Sequence, residues 1–408
     1  MVNKKLLFTL IILFASQTIL PETNFVETSF VETEKPQTQI WLPSKKTLLD
    51  PRIEILAKHA NAHLNSNPLF NTKLLRKSDA VREYLTSQHR GGGTQHTCTT
   101  VDNETIEYTY FDRGSDQLII VGPGFSNREL MAPFVGMFDC DVVIFDHRGH
   151  EYKPIKWYNP STWKLNPIRL FFHLNSRKIR LGEVEHNDVI SIVTTLKQQK
   201  NYAQVCGLGI CYSAVMFVKA HAIYKEQTGT NLFDKLICDG IWPSLRKQIE
   251  RRASNPLTFL PHPYRNFCQG NRHQKLPVNK RWFTPIALKA AEILTGIPFR
   301  KLNLNLLDYL HPIDIPVLFF HSKDDKSIPL DEFQSVWNNA TQTKQKVALI
   351  TPNHLHCRKH LKDKEFYKLI CDSFMELEFE QFIDGLQNPG TLVTQELAKY
   401  QKRLCALS

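Results

Sequence analysis

Apolar residues gather along this chain into short continuous runs, and the stretches between them carry apolar positions at helical intervals. Gln117-Leu118-Ile119-Ile120-Val121, Val142-Val143-Ile144-Phe145 and Val205-Cys206-Gly207-Leu208-Gly209-Ile210 are runs of strand length, the pattern of strands covered on both faces. Lys235-Leu236-Ile237-Cys238-Asp239-Gly240, Ile315-Pro316-Val317-Leu318-Phe319-Phe320-His321 and Lys346-Val347-Ala348-Leu349-Ile350 continue the series. Between the second and third runs Val189, Ile192, Val193 and Leu196 share one helical face, and after the last run Phe366, Leu369, Ile370, Phe374 and Leu377 do the same. Strand, crossover helix, strand predicts an α/β fold with a mostly parallel central sheet flanked by helices.

The third run breaks off abruptly. Gly209-Ile210-Cys211-Tyr212-Ser213-Ala214 reads as a strand turning directly into a helix with a thiol at the turn. In such an elbow the central residue is held in a strained conformation, so the positions two before and two after it must be small. Gly209 and Ser213 meet that demand around Cys211. Around Ser213 the corresponding residues are Cys211 and the β-branched Val215, which makes Ser213 the poorer nucleophile. A cysteine at a strand end is by default a small buried apolar residue, and that reading is given to Cys98, Cys140, Cys206, Cys238 and Cys371.

Taken with three further segments in chain order, the elbow resembles those of the α/β-hydrolase superfamily. Gly122-Pro123-Gly124-Phe125-Ser126-Asn127 is similar to the family's first oxyanion loop, and Asp146-His147-Arg148-Gly149-His150 to its Asp-x-Arg-Gly-x-Gly turn, with Glu151 where the second glycine usually stands. Ser322-Lys323-Asp324-Asp325-Lys326-Ser327-Ile328-Pro329 is similar to the acid loop, where the acid precedes a Val/Ile-Pro pair by three residues; this selects Asp325, with Asp324 as fallback. Thr351-Pro352-Asn353-His354-Leu355-His356-Cys357 offers two histidines for the base. His356 lies four residues after Pro352 and ten before Phe366, the family's spacings, and His354 is the alternative. His147 and His150 are expected to be solvated or locally hydrogen-bonded, and His321 to be a satisfied core histidine.

The resemblance implies a Cys-His-Asp triad. A thiol is only a few per cent ionised at neutral pH and needs an imidazole beside it. His356 would supply that, Asp325 would hold the imidazole in the required tautomer, and the backbone N–H groups of Phe125 and Tyr212 would face the developing oxyanion. The expected activity is hydrolysis of an ester, thioester or related acyl bond through an acyl-enzyme on Cys211. The elbow is similar to those of dienelactone hydrolases, which also use cysteine, although Ser213-Ala214 replaces paired glycines. One alternative is an acyltransferase resembling polyhydroxyalkanoate synthases; against it, Lys326 follows Asp325 and Leu330 follows Pro329 where those enzymes carry Asp-His-x-x-Pro-Trp. The other is a non-catalytic α/β-hydrolase-like binding protein. No cofactor and no metal are expected.

The rest of the 408 residues is read as decoration. Lys4 and Lys5 ahead of the apolar stretch Leu6–Ala15 predict a signal peptide or signal anchor over 1–20, hence an exported or membrane-associated protein. A flexible linker over 21–44 and an N-terminal helical extension over 45–100 are expected before the α/β-hydrolase domain at 101–384. Within that domain a helical lid insertion is expected at about 241–311, with the basic stretch 245–252 and the apolar-periodic stretch 286–294. A tail at 385–408 follows. The formal charge of +11 is spread over the chain, as on a solvated surface, and is compatible with possible membrane-surface association; the sequence carries no nucleic-acid module. The partner is a small-molecule or lipid acyl substrate; oligomeric state stays open. Nine cysteines is an odd number, and without paired metal spacing they predict mostly free buried thiols.

Overall fold

The computed structural model describes residues 37–60, 92–125, 128–150, 180–253, 285, 289, 304–352 and 356–388. Ten strands among them form one sheet: β1 (Gln39–Trp41), β2 (Lys46–Leu48), β3 (Thr94–Thr99), β4 (Thr105–Phe111), β5 (Gln117–Gly122), β6 (Asp141–Phe145), β7 (Gln204–Ile210), β8 (Lys235–Asp239), β9 (Val317–Ser322) and β10 (Lys346–Thr351). Their order is β2-β1-β10-β9-β8-β7-β5-β6-β4-β3. The contacts from β10 across to β6 are all parallel, and β4, β3, β1 and β2 add antiparallel edges. All six expected apolar runs are strands of the parallel portion. Apart from the first residues of β5, β7 and β8, their residues are buried, and each large apolar side chain removed from water contributes about 1.5–3 kcal/mol.

The helices that cover the sheet follow the predicted periodicity. They are α1 (Pro51–Ala60), α2 (Ala132–Met137), α3 (His186–Gln199), α4 (Tyr212–Thr228), α5 (Leu245–Ala253), α6 (Leu330–Asn339), α7 (Lys364–Glu376) and α8 (Phe379–Gln387). In α3 the buried apolar residues are Val189, Ile192, Val193 and Leu196, and in α7 they include Phe366, Leu369, Ile370 and Phe374. Helix α4 differs in being buried on every side from Tyr212 to Ala222, as befits a helix packed through the middle of an α/β layer.

Three boundaries depart from the sequence expectation. Residues 39–41, expected in the linker, form β1 against β10, where Trp41 packs on Phe333 and Trp337 at ring-centroid distances of 5.7 and 6.2 Å. The segment expected as a helical extension contributes strands β2 and β3 as well as α1, so the boundary at 100 cuts the β3–β4 hairpin. Strands of three residues carry no periodicity, and Thr-Gln-His-Thr-Cys-Thr of β3 is an exposed edge with a single buried residue; neither has an apolar run to read. Helix α8 continues to Gln387, past the expected domain end at 384, with Gly385 buried in it.

The insertion after β8 is clamped at its base by a bridge between Ser244 and Asn305 and by the bonds Leu245 N–H to Leu304 O (3.1 Å) and Leu306 N–H to Pro243 O (2.8 Å). The basic stretch forms α5, in which Gln248 and Arg251 hydrogen-bond Glu332 of α6. Apart from residue 289, the apolar-periodic stretch 286–294 lies outside the described residues, as do most of the lid and 1–36 with the leader. Among the described residues no helix is long and apolar enough to cross a membrane.

Candidate active site

Strand order and register together bring five loops to one place. The chain passes from β5 to β6 on one side and returns to β7 on the other, and at such a reversal a crevice opens beyond the carboxyl ends of the strands. Gly122 of β5 is opposite Gly209 of β7, and Ile210 is opposite Asp239 of β8. The loop after β5, the turn after β7 and the end of β8 therefore leave the sheet at one level, and the loops after β9 and β10 join them.

At the turn, Cys211 has φ +52° and ψ −101°, a conformation that L-residues rarely adopt and that is retained where surrounding structure enforces it. Its N–H donates to Asp239 O at 2.7 Å. A Cβ on Gly209 would lie 2.5 Å from both Cα and N of Ala214, so the demand for a small residue two before the thiol is a backbone collision. Gly124 approaches to the point where its Cβ would be 3.5 Å from Cys211 Cβ, which sets the loop after β5 beside the sulfur. Tyr212 opens α4, so its N–H belongs to the group that a helix leaves without an internal acceptor. The Phe125 and Tyr212 rings stack with centroids 4.4 Å apart.

His356 and Asp325 meet at this crevice. Asp325, buried behind β9, accepts the N–H groups of Ser327 (2.7 Å) and Ile328 (3.0 Å) on Oδ1 and His356 Nδ1 on Oδ2 at 2.6 Å. Both carboxylate oxygens are engaged, which fixes the plane of the group and the tautomer of the ring. Burial works against the charge of Asp325, but the bond from His356 and the backbone N–H groups outweigh it and hold the carboxyl below its ordinary value. Burial likewise disfavours protonated His356, yet the Cys211 sulfur and the Asp325 carboxylate raise it to about 10. Asp325 and His356 are therefore hydrogen-bonded to one another, and the Cys211 sulfur is among the groups that act on the imidazole. His354 lies outside the described residues.

Two groups in the same crevice were not singled out by sequence. Asp239, at the end of β8, is buried, and burial pushes its carboxyl up to about 7, opposed by His356. Cys357, directly after the base, donates its thiol hydrogen to Asp239 O at 3.3 Å and lies 3.4 and 3.6 Å from the two nitrogens of His356. Gly240 makes room for both residues, because a Cβ there would be 2.4 Å from Cys357 Sγ and 2.9 Å from His356 Cε1. Adjacency to the histidine was the available signal for Cys357. Asp239 carried none, since a carboxylate ending an apolar run also suits an ordinary strand terminus.

The turn after β6 has a different duty. Arg148, buried, donates from its backbone and its Nε to Asp188 of α3 (2.9 and 2.7 Å) and bonds Asp102 with its guanidinium. His147 Nε2 is 2.7 Å from Ser213 Oγ, and that hydroxyl donates to Pro123 O. Ser213, His147 and Asp188 are each fully buried, with 3.8 Å between His147 Nδ1 and Asp188. They resemble a second Ser-His-Asp set but have no opening to a substrate; their bonds tie the loop after β5 to the elbow helix. His147 and His150 are therefore buried rather than solvated. His321 is a core residue stacked on Phe333 at 4.6 Å. Neither of its nitrogens has a hydrogen-bond partner among the described residues, and burial lowers it to about 4, so it is not the satisfied histidine expected. The cysteines at 98, 140, 206, 211, 238, 357 and 371 are all outside disulfides. No group of three or more His, Cys, Asp and Glu among the described residues is arranged to hold a metal ion.

No protein-family model matches the chain, and no curated protein matches it. Among solved structures, an esterase from Pyrococcus furiosus superposes with a TM-score of 0.50 at 18% identity, spanning 70% of this chain and 90% of that one. An α/β hydrolase from Penicillium sp. gives 0.46 at 16% identity over 70% of this chain and 98% of its own, and an esterase from Rhodococcus sp. gives 0.44 at 16% over 70% and 99%. With β4 antiparallel beside a parallel sheet whose order reverses at β5, and with the first of these likenesses, the chain has the α/β-hydrolase fold.

Proposed function

We propose that this protein is an acyl hydrolase in which Cys211 is the nucleophile, His356 the base and acid, and Asp325 the group that orients and charges the imidazole. The observation that carries the reading is the 2.6 Å hydrogen bond between Asp325 and His356 at the crevice where Cys211 stands on its strained turn, its sulfur acting on that imidazole. With the imidazole holding its proton to about 10, a cation stands beside the Cys211 sulfur and favours its thiolate. The thiolate adds to an acyl carbonyl, and the negative charge on oxygen is received by the N–H groups of Phe125 and Tyr212. The imidazolium then protonates the departing alcohol or thiol as the carbon–leaving-group bond breaks. Neutral His356 next removes a proton from water, which attacks the Cys211 thioester and returns the thiol and a free acid.

The substrate class is an ester, thioester or related acyl compound, small or lipid, and no cofactor is required by this sequence of steps. An N-terminal signal or anchor over 1–20 would bring the enzyme to the cell exterior or a membrane surface, in keeping with its basic charge. The test uses the full chain with Cys211→Ala and His356→Ala. Purified protein is offered acyl esters and thioesters of graded chain length, and the acyl-enzyme is trapped in acid for mass measurement. A thioester on the peptide carrying Cys211, absent in Cys211→Ala, is the expected result. Turnover that survives Cys211→Ala, or alkylation of Cys211 no faster than that of a free model thiol, overturns it.

A further inference from the structure

Cys357 is a second thiol in the crevice, and the catalytic steps above leave it without work. Its position is built. It is one of four non-glycine residues with positive φ among the described residues, at +49°, and Cys211 is another. The Asp239 carbonyl oxygen receives the Cys211 N–H at 2.7 Å and the Cys357 thiol at 3.3 Å, so one acceptor holds both residues. Gly240 removes the Cβ that would otherwise occupy the position of Cys357 Sγ. Cys357 sits nearly equidistant from the two nitrogens of His356, one of which is engaged by Asp325, and so stands beside the ring rather than in line with either nitrogen.

We propose that Cys211 and Cys357 form a redox-modification site, in which a hydroperoxide oxidises Cys211 and Cys357 resolves the product to a disulfide. The inference rests on the reading of Cys211 as an activated thiol. In the first step the Cys211 thiolate attacks one oxygen of the peroxide; a sulfur–oxygen bond forms, the oxygen–oxygen bond breaks, and the departing alkoxide or hydroxide takes the proton held by His356. Sulfur loses two electrons and the peroxide gains them. In the second step the Cys357 sulfur attacks Cys211 Sγ; the sulfur–sulfur bond forms, the sulfur–oxygen bond breaks, and hydroxide leaves as water with the Cys357 proton. Two thiols and one hydroperoxide yield one disulfide, one alcohol and one water. Because the linked sulfur is the nucleophile, the oxidised protein has no acyl-transfer activity, and a dithiol restores it by exchange. Without Cys357, further peroxide would carry Cys211 to the sulfinic acid, from which thiols do not recover it.

The experiment takes the reduced full-length protein, adds tert-butyl hydroperoxide without air, blocks remaining thiols with N-ethylmaleimide and maps the peptides. The expected result is a covalent link between the peptides carrying Cys211 and Cys357 with the mass of two hydrogens lost, reversed by dithiothreitol. In Cys357→Ser the link is absent and Cys211 gains two oxygens that dithiothreitol does not remove. The wild-type map stands without the variant, so poor folding of the variant does not blur the answer. Wild-type Cys211 that proceeds to the sulfinic acid with no link, or that resists the peroxide while iodoacetamide alkylates it rapidly, overturns the proposal and leaves the acyl-hydrolase reading intact. Slow reaction with both reagents overturns both.

Discussion

Replacing Gly240 by alanine separates the backbone requirement at this position from its service to the site. Gly240 has φ +69°, and a left-handed conformation costs an L-residue about 1–2 kcal/mol. The added Cβ would also lie 2.4 Å from Cys357 Sγ, 2.9 Å from His356 Cε1 and 3.2 Å from His356 Nδ1. Non-bonded heavy atoms settle at about 3.5–4 Å, so the histidine loop must withdraw by about 1 Å, and a displacement of that size at reacting groups lowers rates on the order of 10²-fold. Gly229→Ala is the control. Gly229 closes α4 at φ +73° with nothing within 4 Å of its would-be Cβ, so it carries the backbone cost without the overlap. Denaturant unfolding should show both variants destabilised by about 1–2 kcal/mol, Gly240→Ala somewhat more. Only Gly240→Ala should lose about 10²-fold in Cys211 alkylation and acyl turnover. Wild-type reactivity in Gly240→Ala, or an equal loss in Gly229→Ala, would refute the reasoning.

Three further outcomes are expected. In Asp325→Asn the amide oxygen keeps the Ser327 and Ile328 N–H groups and turns its NH2 toward His356 Nδ1, which forces the wrong tautomer; acyl turnover should fall by roughly 10²–10⁴-fold with little loss of fold, checked by kinetics beside circular dichroism. Because His356 is raised to about 10, its bound proton stabilises the fold fully below about pH 6.5, and this contribution is lost as pH climbs toward 10. The stability gap between wild type and His356→Ala should therefore close over that window in urea unfolding. Across it Cys211 alkylation should stay nearly level in wild type and rise with pH in His356→Ala, as it does for a free thiol of pKa about 8.5. Arg148→Met leaves Asp188 buried without its cation and should destabilise by about 3–5 kcal/mol, read from chemical denaturation; a change below about 1 kcal/mol would show that the pair contributes little.

Much of the candidate site was legible because its members obey local rules. The collision that excludes a larger residue at Gly209 is with the backbone of Ala214, five residues away, and the spacing from Asp325 to Ile328 reflects a carboxylate that caps the next three residues. His147 and Ser213 escaped, since their bond joins positions 66 residues apart and each residue by itself suits a solvated loop or a small elbow flank. Strands β1, β2 and β3 escaped because short or half-exposed edge strands have no buried face to impose a pattern.

Apolar runs, helical faces and the small residues around Cys211 belong to the sequence alone, because each reflects the surroundings of a few consecutive residues, and they suffice for an α/β fold with a thiol at an elbow. The tertiary structure decided the neighbours of that thiol. His356 reaches Asp325 across 31 residues and Cys357 reaches the Asp239 carbonyl across 118. Those contacts exist only once strand order has set the carboxyl ends of β7, β8, β9 and β10 side by side. Burial in the resulting crevice then gives the carboxylates and imidazole charge preferences that no isolated segment could have.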